Sequence, residues 1–81
     1  MRLYEQTRTE YIRVLGADHP DTLRACLNLA HAYYGVGRLT DAEKLLREVV
    51  KRCKLNLPGS DPLTAAARTS LSNITGDSAE Q

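Results

Sequence analysis

The run DAEKLLREVVKRCKLNL, Asp41–Leu57, decides the architecture when read with the stretch that leads into it, LGADHPDTLRACLNLAHAYYGVG, Leu15–Gly37. From just before the first run to its end, apolar residues fall at Leu39, Ala42, Leu45, Leu46, Val49, Val50, Cys53 and Leu57. Spacings of three and four place them on one stripe of a helix. Acids stand early (Asp41, Glu43) and bases late (Lys51, Arg52, Lys54), which suits the helix dipole. Glu43–Arg47 and Glu48–Arg52 are i,i+4 pairs in the favourable order. Thr40 followed by Glu43 has the form of a capping box, which predicts that the helix starts just after Thr40.

The leading stretch predicts a second helix. Pro20 suits a first helical position, where no amide partner is needed, and Asp18 or His19 supplies the cap. The helix runs through Leu23, Cys26, Leu29, Ala30 and Tyr33; the last four form its buried face, flanked by Ala25, Ala32 and Val36 on one side and by Leu27 and Tyr34 on the other. Gly35-Val36-Gly37 ends it, with glycine permitting the left-handed turn that reverses the chain. Two helices joined this tightly lie antiparallel.

A shift of 42 residues overlays the chain on itself: Leu15 on Leu57, Pro20 on Pro62, Thr22 on Thr64 and Leu29 on Leu71. Upstream, Leu3 falls on Leu45, Tyr4 on Leu46, Thr7 on Val49 and Tyr11 on Cys53. A fixed period of this size is the signature of a solenoid. The predicted fold is all-α, with four helices at 2–15, 20–35, 40–56 and 62–75. These form one repeat domain over 1–75: a second helix, a full hairpin and a first helix. A flexible tail is predicted at 76–81.

The run Leu15-Gly16-Ala17-Asp18-His19-Pro20-Asp21-Thr22-Leu23 resembles the linker and helix of the 42-residue tetratricopeptide repeats of kinesin light chains and of many bacterial, notably actinobacterial, multidomain proteins. Asn28-Leu29-Ala30-His31-Ala32-Tyr33, with Gly37, Ala42, Leu46 and Val49, is similar to that family's pattern of small and large positions. The resemblance runs from Leu3 to about Ile74. It implies a right-handed superhelix whose first helices line a concave groove that binds peptides or proteins. Arg68 stands where the central repeat has Cys26, and Thr75 where it has Tyr33, so the last helix is either covered by a further repeat or is a polar cap.

Eighty-one residues are enough for one domain, of marginal stability at this size. About three repeats are usual for an independent solenoid. Two repeats cut mid-hairpin point either to a piece of a longer protein or to an oligomer that covers its own ends. No apolar run is long enough to span a membrane, and acid and polar residues interrupt any signal-like core at Met1-Arg2-Leu3-Tyr4-Glu5. A net charge of +1 gives no reason to expect nucleic acid or an anionic membrane as partner. Lys44, Arg47, Lys51, Arg52 and Lys54 cluster on one helix, but Glu43 and Glu48 interleave them and no aromatic lies beside them for base stacking. Cys26 and Cys53 lie on apolar stripes as small hydrophobes, and their presence in a helical repeat favours a reducing, cytoplasmic compartment.

Enzymatic chemistry finds little support. Cys26 and His31 are about 140° apart around a helix and cannot pair as nucleophile and base. Asp18, His19 and Asp21 are close enough to suggest metal ligands, yet capping explains them and no CxxC or HxxxH spacing accompanies them. Gly35 and Gly37 close a helix rather than open one, the wrong polarity for a phosphate cradle. No cofactor is expected.

A surface remains. Opposite the buried face of the 20–35 helix runs a strip of Arg24, Asn28, His31 and Gly35, with Tyr34 at its edge. Ala66, Ser70 and Asn73 continue it on the last helix. The family resemblance turns this strip toward the groove, making Arg24, Asn28, His31, Tyr34 and Asn73 candidate partner-binding residues. A merely solvated polar face is the alternative. Leu3, Tyr4, Thr7 and Tyr11 line the first helix, whose hairpin partner is not in the chain, and this stripe is a candidate self-association surface in a homodimer, so that the alternative to a binding module is a structural spacer or self-association segment of a larger protein.

Overall fold

A computed structural model describes residues 2–76. Four helices follow one another: α1 (Arg2–Leu15), α2 (Pro20–Gly35), α3 (Leu39–Asn56) and α4 (Pro62–Thr75). Among the described residues there is no strand. The predicted tail beyond Gly76 lies outside the described residues.

Two of the helices start in the same way, 42 residues apart. His19 caps α2, its Nδ1 accepting from the Asp21 amide at 3.1 Å. Asp61 caps α4, its Oδ1 accepting from the Leu63 amide at 2.8 Å. A proline follows each cap, where its missing N–H costs nothing.

The turn between α2 and α3 is a Schellman motif. The Arg38 amide reaches back to the Tyr33 carbonyl at 2.9 Å and the Gly37 amide to that of Tyr34 at 3.1 Å. Gly37 takes φ +86°, in the left-handed region. An apolar contact often accompanies this motif. Here the Arg38 guanidinium stacks 4.5 Å from the centre of the Tyr33 ring instead.

That turn corrects the capping-box expectation at Thr40. Once Gly37 has reversed the chain, Leu39 is already helical. Arg38 occupies the cap, without a side-chain hydrogen bond, and the Ala42 amide bonds its carbonyl at 3.1 Å. Thr40 therefore falls inside the first turn and cannot cap. Arg38 pairs with Asp41 at 2.8 Å, and Glu43 turns forward to Arg47 at 2.7 Å.

Packing is sequential: α1 on α2, α2 on α3, α3 on α4. Beyond this chain order α2 also touches α4, whereas α1 touches only α2. The two proline-initiated helices thus approach each other while α1 and α3 stay apart, which makes the α2/α4 side the inner side of the curve. The core is one cluster in which Leu23, Leu27 and Ala30 of α2 meet Leu46, Val49 and Cys53 of α3 and Ala67 of α4.

Because three helices contact α2, its burial is wider than the single stripe expected. Thr22, Leu23, Ala25 and Leu27 are buried along with Cys26, Leu29 and Ala30. Tyr33 is only half-buried, and Tyr34 and Val36 are exposed. Helix α1 has no buried residue. Three polar contacts tie it to α2. Tyr33 donates to Glu5 Oε2 at 2.7 Å, Thr22 donates to the Tyr11 carbonyl at 3.2 Å, and Arg8 Nε lies 3.3 Å from Cys26 Sγ.

Candidate functional site: two clefts along the polar side of α2

Asp21, Arg24, Asn28 and His31 are all exposed, one turn apart on α2. The apolar residues of α2 are drawn into α1, α3 and α4, so this polar row is the side left over. Where α4 comes alongside, His31 Nε2 and Ser70 Oγ meet at 2.7 Å and tie the two helices together across the inner side. A cleft of about 420 Å³ opens there, lined by His31, Tyr34, Ser70, Asn73 and Ile74. A second cleft, of about 280 Å³, lies between α1 and α2, with Tyr4, Thr7 and Tyr11 on one wall and Asp21, Arg24, Ala25 and Asn28 on the other.

The five candidate partner-binding residues are therefore divided. His31, Tyr34 and Asn73 share the α2/α4 cleft, while Arg24 and Asn28 share the α1/α2 cleft with Tyr4 and Tyr11. The two surfaces expected to be separate are continuous along α2. Leu3 stands outside both clefts and is exposed on α1. Ile74 was missed as a wall of the α2/α4 cleft. It lies one helical turn beyond Ser70, and that spacing was the available signal.

Charge on this row is nearly balanced. Arg24 faces Asp21 at 3.6 Å, both well exposed. The amides of Asn28 and Asn73 and the hydroxyl of Tyr34 make no hydrogen bond to other described residues, so their donors and acceptors are open to a ligand.

The other candidate groups are engaged elsewhere. Asp18 accepts from Arg52 at 2.7 Å, and Glu48 pairs with the same guanidinium at 3.0 Å. Arg47 is held by Glu43, so both arginines of the basic cluster on α3 are paired with acids. Among the described residues no group of three or more His, Cys, Asp and Glu could hold a metal ion. Both thiols are free and buried. Burial pushes the Cys26 thiol up, partly offset by Arg8, and burial likewise raises Cys53. A buried thiol held in its neutral form is a poor nucleophile. Among the described residues no helix is long and apolar enough to cross a membrane.

Antiparallel hairpins repeating at a fixed period, with an open polar row on the inner helices, define an α-solenoid of the protein-interaction kind. The sequence comparisons agree. The family profile described as tetratricopeptide repeat matches residues 2–55, and the chain belongs to that family. It is 35% identical over 74 residues to kinesin light chain-related protein 3 of Arabidopsis thaliana, a match covering 91% of this chain and 11% of that protein. It is 38% identical over 60 residues to kinesin light chain-related protein 2 of the same plant, covering 74% of this chain and 9% of the relative. The chain thus spans about a tenth of the length of the curated relatives it matches. No solved structure matches it.

Proposed function

We propose that this tetratricopeptide-repeat module binds a peptide or protein partner along the inner side of α2 and α4, with Arg24, Asn28, His31, Tyr34 and Asn73 as the contacting residues. The observation that carries this reading is the α2/α4 cleft. It joins an exposed aromatic, Tyr34, to an apolar wall, Ile74, and to the uncommitted amide of Asn73. Such a mixture suits an extended peptide: amides hold its backbone and the aromatic packs its side chains. Balanced charge along the row favours partners recognised by shape and backbone over strongly charged ones.

Residues 28 and 31 recur one period later as Ser70 and Asn73, so the row offers polar groups at two successive registers. No catalytic role and no cofactor are proposed. The test is replacement of Arg24, Asn28 and His31 together by alanine. Affinity for a peptide selected from a random linear library against the wild-type chain should be lost, with the melting temperature little changed. Undiminished binding would move the interface elsewhere.

A further inference from the structure

The chain has three lysines, Lys44, Lys51 and Lys54, and all of them stand on α3. All three are exposed, and none forms an ion pair with a described residue. The arginines between them are already paired, Arg47 with Glu43 and Arg52 with Asp18 and Glu48. Lys44, Arg47, Lys51 and Lys54 follow one another at spacings of three, four and three, which puts four bases on one face of the helix, away from the buried Leu46, Val49 and Cys53. Leu55, 75% exposed, extends this face one turn beyond Lys51. A cleft of about 460 Å³ lies beside it, lined by Asp18, Arg47, Glu48, Lys51, Arg52 and Leu55.

Helix stability does not account for this row. Like charges three and four apart on a helix repel each other. The helix dipole favours Lys54 in the last turn, but not Lys44 in the second. Nor is the face open because of where the chain begins or ends. Helix α3 belongs to the complete hairpin, and α2 and α4 both cover its other side. Helix α1 stands one period before α3 and touches only α2, so a helix one period after α3 would stand off in the same way.

We infer that the outer face of α3 docks an acidic helical segment of a protein partner, its carboxylates meeting Lys44, Arg47, Lys51 and Lys54 and an apolar side chain covering Leu55. The four bases span about 15 Å of helix axis, so a partner helix lying along α3 with acids at the same spacing meets each in turn. Glu43 and Glu48 stand among the bases. They repel a uniformly anionic surface, such as a nucleic-acid backbone or lipid headgroups, but not a segment that places its acids only opposite the bases. The inference is independent of the proposed peptide site, which lies on α2 and α4.

The test is fluorescence anisotropy of the full chain with a labelled synthetic helical peptide that carries glutamates at spacings of three, four and three and a leucine one turn on. Saturable one-to-one binding is expected, weakening as salt is raised. Lys44→Glu, Lys51→Glu and Lys54→Glu together should weaken it by about tenfold or more, with helical circular dichroism retained. The same peptide with lysines in place of its glutamates should then bind the triple variant. Should that variant unfold, Lys44→Gln with Lys51→Gln and Lys54→Gln removes the charge alone and should weaken binding in the same direction. Tyr34→Ala with Asn73→Ala should leave binding unchanged, which separates this face from the α2/α4 cleft. The inference is overturned by no binding, by equal binding of a scrambled peptide of the same composition, or by binding that survives the lysine substitutions. Loss of binding on the Tyr34 and Asn73 changes also overturns it, as does a preference for poly(U) RNA or phosphatidylserine vesicles over the peptide.

Discussion

His31 on α2 and Ser70 on α4 share a hydrogen bond of 2.7 Å on the inner side of the molecule. One period separates Asn28 from Ser70 and His31 from Asn73, so this contact joins the two registers of a single polar row. The bond is solvent-exposed, and its contribution to stability is small. Ser70→Ala should change the unfolding free energy by less than about 1 kcal/mol. It should alter affinity for a selected peptide more than it alters stability. A large fall in stability with unchanged affinity would make the pair a structural clamp instead.

The turn after α2 gives a sharper stability test. Gly37 has φ +86°, and beyond the adjoining residues no atom lies within 4 Å of where a Cβ would stand. Any cost of Gly37→Ala therefore comes from the backbone conformation and not from crowding. Chemical denaturation should show a loss of about 1 kcal/mol. No loss would mean that the turn relaxes into another form.

Tyr33 links three features: its hydroxyl donates to Glu5, its ring lies under Arg38, and its carbonyl receives the Arg38 amide. Tyr33→Phe removes only the first. It should cost about 1 kcal/mol and loosen α1 from α2 while leaving the α2–α3 turn in place. Faster hydrogen exchange confined to α1 is the expected sign, and uniform acceleration across all helices would contradict it.

Stability should fall on the alkaline side. Burial raises both thiol pKa values, so the folded chain holds those protons more tightly than the unfolded chain does. Their contribution is complete below the unfolded thiol pKa of about 8.5 and is lost as pH rises through the folded values. Tyr33 acts in the same sense at higher pH, chiefly because its proton is held by Glu5. Urea midpoints measured from neutral pH upward should decline above about pH 8.5. A rise there would show that the thiols are not held neutral by the fold.

Much of the fold could be read from local signals. Pro20 and Pro62 mark helix starts, Gly37 marks the turn, and the stripe through Leu46, Val49 and Cys53 marks a core. These are properties of one helix or one turn, and the chain carries them in a few adjacent residues. The Thr40 cap misled because Gly37 and Arg38 already complete the reversal, so the helix starts before the box can form. The burial of Thr22, and the full burial of Leu27, expected only as a flank of the stripe, depended on how three helices surround α2, which one helix's periodicity does not encode. Likewise, the polar strip of α2 was visible as a face. Its division into two clefts follows from where α1 and α4 sit, and the polar contacts of Glu5 and Arg8 from the angle of α1 on α2.

Partner binding along the inner side of α2 and α4, as proposed, can be mapped residue by residue. The most direct measurement is a nitrogen-15 amide titration of the chain with a peptide selected from a random linear library. The shifts should cluster at Asn28, His31, Tyr34, Ser70 and Asn73 and be absent from the exposed α3 positions Lys44, Lys51 and Leu55. Shifts centred on α3, with the α2/α4 cleft unmoved, would contradict it.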